Sequence, residues 1–126
     1  MREIEFRGLT KNNLYYQKGT WVYGSLQIFK GYSIFDKIFK NFITVDSKSI
    51  GQWSGLYDKN GKKIYEDDRC LVSCKYFNIK DEESIVIFKD GCFCFQYGCT
   101  DDYVKTFNAW DLGSIEVIGN IYENEN

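Results

Sequence analysis

Histidine and proline are missing from the 126 residues, and methionine occurs once. The missing histidine removes the side chain used most often as a general base near neutral pH. Serine nucleophiles such as Ser54 therefore have no imidazole partner, and no Gly-x4-Gly-Lys loop is present to cradle phosphates. No catalytic activity is expected. Long apolar runs are missing as well. No window approaches the roughly 18 apolar residues of a membrane-spanning helix, and the N-terminal MREIEFRG lacks a signal-peptide core. Neither secretion nor membrane spanning is expected, and the expected location is the cytoplasm.

What is present is apolar and aromatic. Apolar residues make up 44% and aromatics 18%, more than a disordered chain carries. A chain of this size buries roughly two-thirds of its unfolded surface, enough for one domain or two small lobes without a metal or disulfide staple. Abundant Ile, Lys, Asn, Phe and Tyr, with no proline or histidine, suit an AT-rich genome.

Five cysteines, Cys70, Cys74, Cys92, Cys94 and Cys99, leave one over if paired, so reduced thiols are expected. Cys-x-Cys and Cys-x3-Cys look superficially like metal spacing. On strands, however, Cys92 and Cys94 share a face, as do Cys70, Val72, Cys74 and Tyr76, which reads as small buried apolar side chains. With no histidine, a structural zinc is not expected.

Net charge is −2 but uneven. Residues 1–50 hold eight Lys/Arg against four Asp/Glu, and residues 70–126 hold four against ten. Packing of one half on the other would satisfy this split, and so would head-to-tail association of copies into a homo-oligomer.

The chain turns on Val45–Arg69, where Asp58-Lys59-Asn60-Gly61 signals a reversal, read as a type I′ turn at Asn60-Gly61. Alternation marks a strand over 2–8, with Ile4 and Phe6 on one face and charges on the other. A second runs over 20–30, where Gly24 marks a bulge or a close backbone approach. Residues 33–43 support two readings. Ile34, Phe35, Ile38, Phe39, Phe42 and Ile43 recur at helical spacing, with Ser33 and Asp36 as a capping box. The alternative is a hairpin turning around 37–41. Further strands are read at 69–77, 84–89, 92–97 and 114–122, with a charged loop at 80–83 and a tight hairpin at Asp90-Gly91. Residues 100–112 read as a connection with room for a helical turn. The expected fold is mainly β: an N-terminal β-rich region over 1–52, packed with a C-terminal SH3-like small barrel over 53–126.

Several pieces in order carry a family resemblance. They are Arg2-Glu3-Ile4-Glu5-Phe6-Arg7-Gly8, Trp21-Val22-Tyr23-Gly24-Ser25-Leu26, Gly55-Leu56-Tyr57-Asp58-Lys59-Asn60-Gly61, Ile64-Tyr65-Glu66, Phe88-Lys89-Asp90-Gly91 and Ile115 through Asn124. Together they are similar to the YopX-like proteins of bacteriophages and prophages. The resemblance implies a two-part β protein with an SH3-like barrel, encoded by a phage or prophage, and it implies no activity. That family reads Tyr-Glu-Gly-Asp where this chain has Tyr65-Glu66-Asp67-Asp68.

Three function classes follow. For an enzyme the groups are lacking. Glu66-Asp67-Asp68 offers carboxylates to a divalent cation and Asp58-x-Asn60-Gly61 resembles the start of a calcium loop, but the later acidic ligand is missing. No cofactor or metal is expected. Nucleic-acid binding has aromatics for stacking, but only the N-terminal half offers a basic face, so it ranks second. A protein-binding module is the favoured class. Its expected contacts are Trp53, Tyr57, Tyr65, Glu66, Asp67 and Asp68, an acidic and aromatic edge suited to a basic host or phage protein. Inhibition of host defence is the specific form this takes, with virion assembly as its rival.

Overall fold

The computed structural model describes residues 2–74, 79–97, 103–106 and 114–123. Within them lie eleven strands. These are β1 Phe6–Leu9, β2 Trp21–Ile28, β3 Tyr32–Asp36, β4 Asn41–Thr44, β5 Gly51–Tyr57, β6 Lys63–Tyr65, β7 Asp68–Cys74, β8 Ile79–Lys89, β9 Cys92–Tyr97, β10 Tyr103–Thr106 and β11 Ser114–Asn120. A 3-10 turn, Ser47–Ser49, precedes β5. The protein is mainly β, with two antiparallel sheets in the orders β4-β3-β2-β1-β5-β6 and β10-β9-β8-β7-β11. By its contacts the chain divides into two compact units, Met1–Trp53 and Ser54–Asn126, and β5 passes from one to the other.

The first unit is built on the β1–β2–β3–β4 meander. Its core is Val22, Ile34, Ile43 and Val45, with Phe6, Tyr16, Leu26 and Ile50 packed around it. Residues 33–43 form a hairpin, not a helix. Ile34 faces Ile43 and Phe35 faces Phe42 across it, and residues 37–40 form the loop. Two mirrored cross-strand pairs flanking a four-residue loop reproduce the spacing of a helical stripe, hence the ambiguity. The capping signal at Asp36 serves the turn instead: its Oδ2 accepts the Phe39 N–H at 2.8 Å, and Lys40 is left-handed, with φ of 51°. Gly24 is a close backbone approach, because a Cβ there would lie 1.9 Å from the Phe35 carbonyl oxygen.

The first strand departs from its expected exposure. Alternation suggested a charged outer face, yet Glu5 and Arg7 are each 5% exposed while Ile4 is 54% exposed. The charges are accommodated by partners. The Arg7 guanidinium lies 4.4 Å over the Trp21 ring, and Glu5 Oε2 accepts Lys37 Nζ at 3.2 Å. The strand expected over 2–8 begins only at Phe6, so Glu5 precedes β1, and within β1, flanked by β2 and β5, Arg7 lies covered.

In the second unit Ile64, Cys70, Val72, Val86 and Phe95 form the core, and Leu56, Phe93, Ile115 and Val117 pack against them. Val86 and Phe95 are direct partners in the β8–β9 hairpin. That hairpin closes at Asp90-Gly91, both left-handed at φ of 53° and 82°, as a type I′ turn requires. The stretch 80–83 is not a loop. It belongs to β8, where Glu83 faces Leu71 and ion-pairs with Arg69, so its charge points off the sheet. Within 100–112, Tyr103–Thr106 is strand β10, not a helical turn, and the neighbouring residues lie outside the described ones. The strand expected over 69–77 is described to Cys74. Among the described residues the sheet ends at β10 and β11 without closing into a barrel.

Candidate binding surface

The acidic edge is taken up largely in structure. Asp68 is 1% exposed, and its Oδ2 accepts the backbone N–H of Tyr65 at 2.8 Å, closing the turn between β6 and β7. Asp67, half-buried, is left-handed with φ of 69°. Its N–H donates to the Val86 carbonyl at 2.8 Å, its carbonyl accepts the Ile121 N–H at 3.0 Å, and its carboxylate accepts the Tyr122 hydroxyl at 3.3 Å. The third position of a tight turn at positive φ is where glycine sits most easily and where Asp is tolerated. That accounts for the aspartate here. Two of the three carboxylates of the expected acidic edge are thus engaged within the fold.

Of the other expected contacts, Trp53 and Tyr65 are buried and Glu66 is half-buried. Only Tyr57, 56% exposed, stands out in solvent. The six residues therefore do not form one accessible surface. Burial removes Trp53, Tyr65 and Asp68 from it, because a carboxylate satisfied by a backbone N–H is more stable inside than an unpaired one.

Asp58 is an Asx turn. Its Oδ1 accepts the N–H groups of Asn60 and Lys62 at 2.9 and 2.8 Å, and its Oδ2 accepts Val117 N–H at 2.9 Å. The turn is not type I′. The Gly61 N–H donates to the Asp58 carbonyl and, of the Asn60-Gly61 pair, only Gly61 has positive φ, 82°. Burial pushes the Asp58 carboxyl upward, but the three N–H groups and the Lys62 charge outweigh it and hold the pKa below the usual carboxylate value. Among the described residues no three His, Cys, Asp or Glu side chains gather as for a metal. Cys70 and Cys94 are buried thiols, while Cys92 is half-exposed.

An accessible aromatic surface lies elsewhere, on the outer face of the first unit's sheet. Phe42, Phe35 and Ser25 form a row across β4, β3 and β2, and Tyr23 stands two residues along β2 on the same face. Their exposures are 50% for Phe42, 37% for Phe35 and 40% for Tyr23. The Phe35 and Phe42 rings meet edge to face with centroids 5.1 Å apart. Between and beside them stand Gln27, Ser33 and Thr44. Exposed charge on this unit is mostly positive. Arg2, Lys11, Lys18, Lys30, Lys37, Lys40 and Lys48 are exposed, against only Glu3 and Asp46 among its acids. A recess of about 440 Å³ opens beside Lys11, Lys18 and Asp46. Sequence reading missed this face, although its signal was present: Tyr23, Phe35 and Phe42 alternate with the buried Val22, Ile34 and Ile43. Strands apolar on both sides present one side to something else.

These features define a two-unit antiparallel β protein with an exposed aromatic sheet face. The model of the YopX protein family matches residues 5–126, nearly the whole chain. The chain belongs to the YopX family. No curated protein matches it. No helix among the described residues is long and apolar enough to cross a membrane.

Proposed function

We propose that this protein is a phage- or prophage-encoded accessory factor that acts in the host cytoplasm by binding, without catalysis, and that its working surface is the aromatic face of the first unit. The observation that carries this is the exposure of Tyr23, Phe35 and Phe42 on one sheet face. Three large rings held toward water on paired strands cost solvation, and such patches mark interaction sites. Occupying a host component, including one that serves defence, is an action open to a small protein with this surface. The second unit serves in this reading as a scaffold of SH3-like kind, supported by its five-stranded antiparallel order β10-β9-β8-β7-β11.

The test is affinity capture from host lysate with three baits: wild type, a triple variant Tyr23→Ser, Phe35→Ser, Phe42→Ser, and the control Tyr57→Ser. A captured macromolecule that is lost with the triple variant and kept with the control is the expected result. Capture unaffected by the triple variant contradicts the assignment.

A further inference from the structure

We propose that the aromatic face of the first unit takes single-stranded nucleic acid, DNA or RNA, by stacking bases on Tyr23, Phe35 and Phe42. This rests on the reading of that face as the working surface and adds the chemistry of its occupant.

The rings come first. Phe35 and Phe42 are direct cross-strand partners, and Tyr23 shares their side of the sheet, so three aromatic groups line one pleated surface. Aromatic rings presented on a sheet are platforms for unstacked bases, because every base has a π-face. A duplex keeps its bases stacked on one another and offers no such face. The groups between the rings suit the same occupant. Ser25, Gln27, Ser33 and Thr44 carry donors and acceptors for base edges, and none of them repels phosphate.

Charge supplies the complementarity. Seven exposed cations stand against two exposed carboxylates on this unit, six of them besides Lys37, which is set against Glu5 and Glu3. Glu5 and Asp36 are buried: Glu5 is paired with Lys37, while Asp36 accepts the Tyr16 hydroxyl at 3.0 Å and the Phe39 N–H. Lys30, its ammonium 5.6 Å over the Phe29 ring, lies in the loop entering β3 and Lys40 in the loop leaving it, so a lysine flanks that strand in sequence at each end. An apolar protein interface would use the rings but has no need of this excess of cations, which phosphate neutralisation requires.

The test is fluorescence anisotropy of the full chain with labelled oligothymidine and oligouridine of about 12 nucleotides, within the span of one small domain. A duplex of equal length is the comparison. The expected result is binding of the single strands in preference to the duplex, weakening steeply as salt rises. Tyr23→Leu, Phe35→Leu and Phe42→Leu together keep apolar area but remove the rings, and should weaken binding about tenfold or more. Phe35→Tyr with Phe42→Tyr should retain it. If the leucine variant fails to melt like wild type, Phe42→Leu alone and Lys30→Glu with Lys40→Glu take its place, each expected to weaken binding severalfold.

Absence of binding at low salt overturns the proposal. So does binding indifferent to these replacements, or equal binding of the duplex. Failure with oligonucleotides alongside capture of a host protein through the same three residues would retain the face and discard the nucleic acid. Indifference in both assays would discard the face as well.

Discussion

The Oδ2 oxygen of Asp58 accepts the backbone N–H of Val117 at 2.9 Å, tying the β5–β6 turn to a strand 59 residues further along the chain. With the Asn60 and Lys62 N–H groups on Oδ1, one carboxylate satisfies three donors. Lys59 reinforces the contact, its N–H on the Ile115 carbonyl at 2.9 Å and its ammonium on Glu116 at 2.7 Å. The turn is thus a structural clasp.

Asp58→Ala should destabilise the protein by about 1–3 kcal/mol, because three part-buried N–H groups lose a charged acceptor. The pH dependence has a definite sign. The carboxyl's pKa is lower in the folded chain than unfolded, so its contribution is complete above the unfolded value and lost as pH falls through the folded one. Urea melts at neutral pH and below about pH 4 should show wild type losing stability on acidification, and Asp58→Asn losing less.

Asp67 and Asp68 should separate cleanly in stability. Asp67→Gly relieves a left-handed aspartate and should hold or raise the melting temperature by a few degrees, with loss of the Tyr122 hydroxyl contact as the offset. Asp67→Val should lose roughly 1–2 kcal/mol. Asp68→Lys places a buried cation where a carboxylate received the Tyr65 N–H, and should cost at least about 3 kcal/mol. Differential scanning calorimetry orders the four proteins.

Gly24→Ala tests the close approach of β2 to β3. A methyl group 1.9 Å from the Phe35 oxygen can be housed only by parting the strands. A loss of about 3 kcal/mol or more is expected in denaturant melts, well above the ordinary surface substitution.

How much was readable depended on how local the cause was. The Asp90-Gly91 hairpin was legible because two adjacent residues specify left-handed geometry by themselves. The 33–43 hairpin was open because the Ile34–Ile43 and Phe35–Phe42 pairs fall at helix-like spacing, and only Gly24 against Phe35 and the Asp36–Phe39 bond separate the cases. The acidic run was misread because neither the φ of Asp67 nor the reach of Asp68 back to Tyr65 shows in composition. The aromatic face was missed for a related reason. Tyr23 and Val22 fall on opposite faces of β2 and both are apolar, and only the sheet shows which of two such sides is covered.

Thiol reactivity provides a fourth check. Burial pushes the Cys94 thiol pKa up, and the neighbouring Cys92 raises it further. Limited alkylation at neutral pH, read by mass spectrometry, should modify Cys92 before Cys94 or Cys70. Early modification of Cys70 would contradict the described core.

The central claim, that the first unit's aromatic face does the binding, is tested most directly by amide chemical-shift mapping of the labelled full chain during titration with oligothymidine. The account predicts shifts concentrated at Tyr23, Ser25, Ser33, Phe35, Phe42 and Thr44, with the Asp67-Asp68 turn unmoved. Shifts centred on Tyr57, Glu66 and Asp67, or spread evenly over exposed lysines, would contradict it.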